Sequence, residues 1–307
     1  MGFQERSAKM ERHSTFSALL SVACIVSILF TPLILSLTVF AAPIVFSDSG
    51  TNAAAIQDGV DAFRAALGDP NNGNAAGPLT TGRREINWDG GGVDTNAVAG
   101  TPFNGFLNTR GAQFTTPGTG FVQAPPAGGA NDGLVGQFGN PTYATTFAPF
   151  SLQRLFTPIS SNVTDVLFFI PGTNGALLAA VSAFGAVFSD VDLGGGTTSI
   201  EYFGLSGASL GTFPVPNVNS ADPSFSFLGV QFTGADELIS RVRIITGNAA
   251  LGPGVNDGIV NSPNVDVVVM DDFLYAEPRA AVPEPTTMLL LGSGLLGLWG
   301  ARKKFKK

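Results

Sequence analysis

The stretch 180–203, AVSAFGAVFSDVDLGGGTTSIEYF, contains the pattern that decides the fold. Two apolar segments, residues 180–191 and 198–203, lie on either side of the triple glycine at 194–196. Short segments rich in Val, Ile and Phe between Gly-rich turns are typical of β-strands, because branched and aromatic side chains pack well on a pleated surface. The stretch therefore predicts two strands joined by a turn.

The same pattern extends over most of the chain. It recurs at residues 83–88, 112–115, 121–123, 134–138, 163–170, 224–232, 239–246 and 265–275. Many short strands with little helical periodicity predict a mainly β fold, an antiparallel β-sandwich or jelly roll. One domain over residues 42–281 is within the size range of such folds.

One helix is predicted at the start of this domain. Four apolar residues share one helical face, spaced four, three and four apart: Ile56, Val60, Phe63 and Leu67. Thr51 or Asn52 can cap its beginning, and the sequence Gly-Asp-Pro at 68–70 ends it. Packing of this apolar face on a sheet is the expected role.

Composition excludes several classes of enzyme. The only Cys is Cys24, the only His is His13, and no Lys occurs between Lys9 and Lys303. The domain at 42–281 therefore lacks the side chains of Ser-His-Asp and Cys-His catalysis, of Schiff-base formation, of His or Cys zinc sites and of disulfides. We expect no enzyme activity, although a two-carboxylate glycoside hydrolase stays possible in principle.

Charge indicates which partners the domain does not take. Residues 42–281 contain 8 Arg and 20 Asp plus Glu, a net charge of 8 − 20 = −12. Such a surface repels nucleic acid and anionic lipid head groups. No nucleic-acid partner is expected.

Two pairs of acidic residues are candidate metal ligands. Asp190 and Asp192 are two apart, so on an extended strand both carboxylates point to one face, just before a Gly-rich turn. Asp271 and Asp272 are adjacent and should point to opposite faces, so that one of them could complete the site. Hard oxygen ligands in a Gly-rich setting suit Ca²⁺, the one cofactor we predict. The alternative is that these acids only end their strands.

Other polar and aromatic residues have structural and functional interpretations. Arg241 and Arg243 share one strand face and could clamp a sugar acid, but pairing with Glu201 or an aspartate across the sheet is the favoured account. Trp88 lies between Asn87 and Asp89, which suits sugar stacking, although a buried Trp with a satisfied N–H is commoner.

The N-terminus predicts export. Basic residues precede an apolar stretch at 16–40, and Ala41-Ala42 offers small residues for cleavage. This is the pattern of a secretory signal peptide over residues 1–41, which the Sec machinery would recognise. The apolar stretch is long, so an uncleaved signal anchor is the alternative.

The C-terminus, residues 282–307, has three parts. An apolar run over 286–301 separates a proline-rich start from a basic end whose first residues are Arg302, Lys303 and Lys304. The prolines prevent the helix from beginning further upstream, the apolar run can form a transmembrane helix, and the cationic end stays on the cytoplasmic side. The start of the tail reads Val282-Pro283-Glu284-Pro285-Thr286. A permanent tail anchor is the alternative.

This tail resembles the PEP-CTERM sorting signal of Gram-negative bacteria. The resemblance implies that an exosortase, an integral-membrane cysteine protease or transpeptidase, recognises the tail and cuts near the triplet. The precursor would be membrane-anchored, and the domain would then be released or displayed at the cell surface. The second half of the domain is similar to a region of PEP-CTERM surface proteins of unassigned activity, and the likeness rests on residues 184–192, 199–203, 227–230, 241–244 and 266–273.

These observations favour a non-catalytic structural or adhesive protein of the cell surface or extracellular matrix, associated with exopolysaccharide or biofilm. A lectin-like carbohydrate-binding module that uses Trp88, the tyrosines and acidic loops is the alternative. A two-carboxylate glycoside hydrolase is a third hypothesis, for which no pair of acids is singled out by spacing.

Overall fold

The computed structural model describes residues 42–90, 96–218, 222–233, 239–258, 264–280 and 292–294. The predicted signal peptide at 1–41 and nearly all of the tail at 282–307 lie outside these residues. Within them, no helix is long and apolar enough to span a membrane.

The described residues form fifteen strands, thirteen of them in two main sheets, which confirms the predicted antiparallel β-sandwich. In chain order the strands are β1 (Ile44–Gly50), β2 (Arg83–Ile86), β3 (Ala97–Ala99), β4 (Ala112–Thr115), β5 (Gly120–Ala124), β6 (Leu155–Ile159), β7 (Val163–Phe168), β8 (Ala179–Ala180), β9 (Ala183–Ser189), β10 (Ser199–Phe203), β11 (Ser209–Pro214), β12 (Phe225–Gln231), β13 (Arg241–Ile245), β14 (Val269–Ala276) and β15 (Arg279–Ala280).

The larger sheet has the order β1-β12-β9-β14-β6-β5-β3, with β2 also paired to β14. The second sheet has the order β11-β10-β13-β7-β4, and β8 pairs with β15 in a small third sheet. All of these strand pairs are antiparallel. Neighbours such as β9 and β12 are distant in sequence, so each sheet depends on long-range pairing.

Aromatic side chains hold the two main sheets face to face. Phe168 of β7 packs on Tyr275 of β14 with ring centroids 5.4 Å apart, and on Phe184 of β9 at 6.1 Å. The Tyr202 hydroxyl on β10 donates to the Phe184 carbonyl at 3.0 Å. The core between the sheets is therefore largely apolar, and the Tyr202 hydroxyl within it is paired across the two sheets.

The predicted N-terminal helix is confirmed. A 3₁₀ turn, Ala53–Ile56, leads into helix α1, Gln57–Leu67, and the Asn52 side chain accepts from the N–H of Ala55 at 3.1 Å. All four residues of the apolar face are buried. Phe63 lies over Gly185 and Gly229, where an added Cβ would come within 2.9 and 2.8 Å of its ring. Glycine on the sheet thus makes room for the helix.

Three further short helices were not predicted: α2 (Leu107–Arg110), α3 (Gly133–Phe138) and α4 (Tyr143–Thr146). The prediction of a strand at 134–138 was wrong, because α3 occupies it. Leu134 and Phe138, four residues apart, are buried together in a second apolar cluster with Tyr143 and Val267. A short apolar run cannot distinguish a buried strand from one helical turn.

Candidate functional site

One end of the larger sheet carries the first pair of predicted metal ligands. Strand β9 ends there at Ser189, and its neighbours β12 and β14 both begin there, since Phe225 and Val269 each pair with Ser189. The Asp190 N–H donates to the Ser224 carbonyl at 2.9 Å. The chain that leaves β9 therefore lies beside the chain that enters β12.

Four carboxylates converge at this end. One oxygen from each lies within 4.8 Å of the others: Asp190, Asp192, Asp222 and Asp257. The first two follow β9, Asp222 precedes β12, and Asp257 lies in the segment before β14. We call these four residues the acidic cluster.

Asp190 is the most deeply buried of the four. Its side chain is 0% exposed, and neither carboxylate oxygen has a hydrogen-bond partner among the described residues. Its φ is 72°, in the left-handed region that Asp and Asn enter more readily than most residues. Asp192 is 2% exposed and its Oδ1 also has no partner. Asp257 is half-buried and Asp222 is exposed, so the cluster runs from the interior to the surface.

A fifth acid, Asp266, shapes this region through hydrogen bonds. Its Oδ1 accepts from the Asp192 N–H at 3.1 Å, and its Oδ2 accepts from the Thr197 hydroxyl at 3.1 Å. Asn217 donates to the Asp192 carbonyl at 3.1 Å. Hydrogen bonds to both the N–H and the carbonyl of Asp192 thus hold the chain where it enters the turn at 193–197.

Burial and mutual repulsion raise the pKa values within the acidic cluster. Burial, followed by the charge of Asp257, raises the pKa of Asp190 to about 10. The pKa of Asp257 is raised to about 7 and that of Asp192 to about 6, with burial the largest cause for each. None of the ion pairs between described residues reaches these four carboxylates. The cluster is therefore a set of carboxylate oxygens whose charge is not balanced by any ion pair found within the described part of the chain.

The second predicted pair, Asp271 and Asp272, is not part of the acidic cluster. The prediction that the two side chains point to opposite faces was also wrong. The register of β14 against β9 shifts between Met270 and Phe273, a β-bulge that sets two residues against one. Both carboxylates consequently reach the Ser151 hydroxyl, which lies 3.3 Å from Asp271 Oδ1 and 2.6 Å from Asp272 Oδ1.

The Asp271–Asp272 pair has partners instead of an open site. Asp271 Oδ2 accepts from the Phe150 N–H at 2.6 Å, and Asp272 lies 3.6 Å from an Arg64 nitrogen. Burial, followed by the charge of Asp272, raises the pKa of Asp271 well above its usual value. Burial also raises the pKa of Asp272.

The remaining candidate residues have structural roles. Arg241 and Arg243 both bind Asp165 on β7, at 3.1 and 2.9 Å, so their favoured partner is an aspartate across the sheet. Trp88 is fully buried, stacks on Phe156 at 3.7 Å between ring centroids, and donates its indole N–H to the Asp271 carbonyl at 2.7 Å.

Sequence reasoning missed Asp222 and Asp257. Asp222 lies 30 residues beyond Asp192 along the chain, and Asp257 lies 35 residues further on. Neither occurs in a recognised spacing motif. Only the antiparallel neighbours of β9 bring their loops to one end of the sheet.

The end of the domain meets the sorting tail without an intervening linker. Strand β15 ends at Ala280, and residues 281–304 match the PEP-CTERM protein-sorting motif. The chain therefore carries a PEP-CTERM sorting motif at 281–304. No curated protein and no solved structure matches the chain.

A PEP-CTERM motif implies an exported, membrane-anchored precursor that an exosortase processes. The predicted sorting residues Val282, Pro283, Glu284, Pro285, Thr286, Arg302, Lys303 and Lys304 all lie inside the matched range and outside the described residues. The match covers only this tail, so the activity of the domain at 42–281 is not assigned by it.

Proposed function

We propose that this PEP-CTERM protein is a non-catalytic structural or adhesive component of the cell surface or extracellular polysaccharide matrix. The observation that carries the proposal is the direct join between a self-contained β-sandwich and a sorting tail. In this proposal the Sec machinery exports the chain and an exosortase removes or replaces the tail. The domain itself is the delivered product.

In this proposal, processing leaves a domain whose chain ends close to its last strand. Arg279 and Ala280 of β15 pair with Ala180 and Ala179 of β8, so the chain is held to the domain up to residue 280. Only two residues then precede Pro283. Cleavage near the triplet would leave almost no tether, which favours a domain that acts as a compact body.

The lectin-like alternative depended on aromatic side chains that are buried and not accessible to a sugar. Sugar stacking needs an aromatic face open to solvent, but Trp88 and all three tyrosines, Tyr143, Tyr202 and Tyr275, are 0% exposed. Their rings fill the core. This supports a role in which the fold, and not an aromatic subsite, is what is displayed.

The acids that line a cavity also favour a non-catalytic role. A cavity of about 330 Å³ is lined in part by Asp69, Glu277 and Arg279. Asp69 pairs with Arg83, and Glu277 is bound by both Arg84 and Asn72. Glycoside hydrolysis needs one carboxyl group free to give a proton and one free to act as nucleophile or base. Both acids here are held in ion pairs.

Processing is tested by mass spectrometry of the protein recovered from the cell surface and medium. In a host with an exosortase we expect no peptide from Met288 onward, whereas a strain lacking the exosortase should retain it. A Pro283→Ala/Pro285→Ala variant should retain the tail in both strains. Recovery of intact 302–307 on surface protein of the parent strain would contradict the sorting assignment.

The role of the domain is tested separately. The processed protein should co-fractionate with the extracellular polysaccharide, release no reducing sugar ends from it, and leave the matrix mechanically weaker when the gene is deleted. Saturable binding to one glycan on an array would favour the lectin-like alternative. Release of reducing ends would favour a hydrolase.

A further inference from the structure

Asp190 presents a physical problem that hydrogen bonding within the domain does not solve. A fully buried carboxylate normally accepts several hydrogen bonds, because removal of its charge from water is costly. Here both oxygens are unpartnered, and the nearest acids, Asp192 and Asp257, repel it. Its neighbour Asp266, at the same end of the sheet, has donors for both oxygens. Asp190, where the four carboxylates converge, therefore lacks the hydrogen-bond donors that Asp266 has.

We propose that the acidic cluster binds a Ca²⁺ ion, with Asp190, Asp192, Asp222 and Asp257 each supplying a carboxylate oxygen. The ion is held where β9 ends and where β12 and β14 begin. It links three loops that are far apart in sequence. This site is independent of the function proposed above.

A bound cation satisfies the buried oxygens of Asp190 better than protonation does. A neutral carboxyl group still needs a donor for its second oxygen, and no N–H or O–H group of the described residues donates to either oxygen of Asp190. A divalent cation instead takes an oxygen from each acid and converts their repulsion into attraction. The geometry, with one oxygen per residue converging, is that of a ligand shell.

The chemistry of the ligands and the distances between their oxygens favour Ca²⁺ over other metals. All four ligands are hard carboxylate oxygens, and residues 42–281 contain no Cys or His, so zinc and copper lack their preferred ligands. Ca²⁺ binds oxygen at about 2.3 to 2.6 Å, which allows opposite ligands about 5 Å apart, whereas Mg²⁺ at about 2.0 to 2.1 Å allows about 4.2 Å. A spread of up to 4.8 Å fits Ca²⁺.

The burial gradient gives the ion a route to the site. Asp222 is exposed and Asp257 is half-buried, while Asp190 and Asp192 form the floor. An ion can therefore exchange with solvent through Asp222. Bound there, the ion links loops of a domain that has no Cys with which to form a disulfide.

The test is thermal unfolding of the full-length protein in a nonionic detergent, after dialysis against EDTA, with and without millimolar Ca²⁺. An affinity on the order of 10 µM raises the midpoint by about 5 to 10 °C, because the ion binds only the folded state. The Asp190→Asn variant should lose most of this rise, and its Ca²⁺ affinity by calorimetry should fall by at least about tenfold. Mg²⁺ at the same concentration should give the smaller rise.

Asp190→Asn also carries a signature that a purely structural residue would not give. Asn tolerates the left-handed backbone and removes a repelled charge, so in EDTA the variant should unfold at or above the midpoint of the parent. In Ca²⁺ it should unfold below the parent. Asp271→Asn is the matched control, since it removes a buried acid outside the cluster and should keep the full Ca²⁺ response.

Two results would overturn the proposal. One is an equal midpoint for the parent in EDTA and in Ca²⁺, with no binding heat by calorimetry. The other is a Ca²⁺ response that survives in both Asp190→Asn and Asp257→Asn, which would place the ion elsewhere. If one variant does not fold, the other still decides the outcome.

Discussion

The acidic cluster and the Asp271–Asp272 pair both bury carboxylates in the larger sheet, and they differ in what surrounds them. Around Asp271 and Asp272 the chain supplies a backbone N–H, a hydroxyl and a guanidinium, from Phe150, Ser151 and Arg64. Around Asp190 it supplies none of these, only further carboxylates. The same fold therefore buries acids in two ways, either with hydrogen-bond donors around them or with only other acids around them.

The difference shows why acidic pairs in a sequence are ambiguous. Donors from the protein make a buried acid part of the core, and their removal should destabilise the fold. Acids without donors destabilise the fold until something from solution satisfies them. The first class should therefore respond to the loss of its donors, and the second to removal of the ion or of the charge.

The largest effect is expected where a buried acid has the most partners. Arg84 binds both oxygens of Glu277, at 2.6 and 2.7 Å, and both side chains are almost fully buried. Arg84→Met should lower the free energy of unfolding by about 3 to 5 kcal/mol, because it leaves an uncompensated buried charge. Urea unfolding of the full-length protein in detergent measures this.

Arg243→Met is the matched control. Arg243 also binds a carboxylate with two nitrogens, but it is 40% exposed, and such pairs contribute about 0 to 1 kcal/mol. An equal loss of unfolding free energy in the two variants would show that burial does not determine the cost of leaving a carboxylate without its arginine.

A smaller effect is expected at Asp266, the acid with partners beside the acidic cluster. Asp266→Ala and Asp266→Asn remove the same charge, but only Asn keeps an acceptor for the Asp192 N–H and a group that can bond to Thr197. In EDTA the Ala variant should be less stable than the Asn variant by about 1 to 3 kcal/mol. Equal stabilities by urea unfolding would mean that these hydrogen bonds do not hold the turn.

The sequence was informative where structure depends on local spacing. The apolar face of α1 and the strand pattern around β9 were predicted because residues close in sequence decide them. Asp190 and Asp192 were recognised as a pair for the same reason. The strand predicted at 134–138 failed because five residues are too few to distinguish the two periods.

The rest of the site depends on long-range pairing and was beyond such spacing rules. Asp222 and Asp257 join Asp190 only because β12 and β14 flank β9. The bulge in β14 brings the carboxylates of Asp271 and Asp272 to the same hydroxyl instead of to opposite faces, and no Gly or Pro at that point predicts it. The sorting motif was predictable because sorting signals are linear motifs, whereas the signal peptide at 1–41 lies outside the described residues and stays a prediction.

The smallest effect is expected at Asp271 and depends on pH. Its pKa in the folded protein is raised above the ordinary 3.8, so the folded state retains a proton that the unfolded state loses. Stability from this group is present below about pH 4 and is lost as pH rises toward the raised pKa. Asp271→Asn cannot titrate, so it should be more stable than the parent at about pH 8, by on the order of 1 kcal/mol.

The advantage of Asp271→Asn should disappear toward pH 4, where the parent carboxyl is protonated in both states. Asn preserves an acceptor for the Phe150 N–H and a donor toward Asp272, so the geometry of the bulge is retained. The measurement is the difference in urea midpoint between variant and parent across this pH range, which cancels titrations common to both. Ser151→Ala provides the contrast, since it removes a donor to the pair and should destabilise the protein at about pH 8. A stability difference for Asp271→Asn that does not change with pH would show that Asp271 is already ionised in the folded protein, and the neighbouring donors would then suffice to hold two charges.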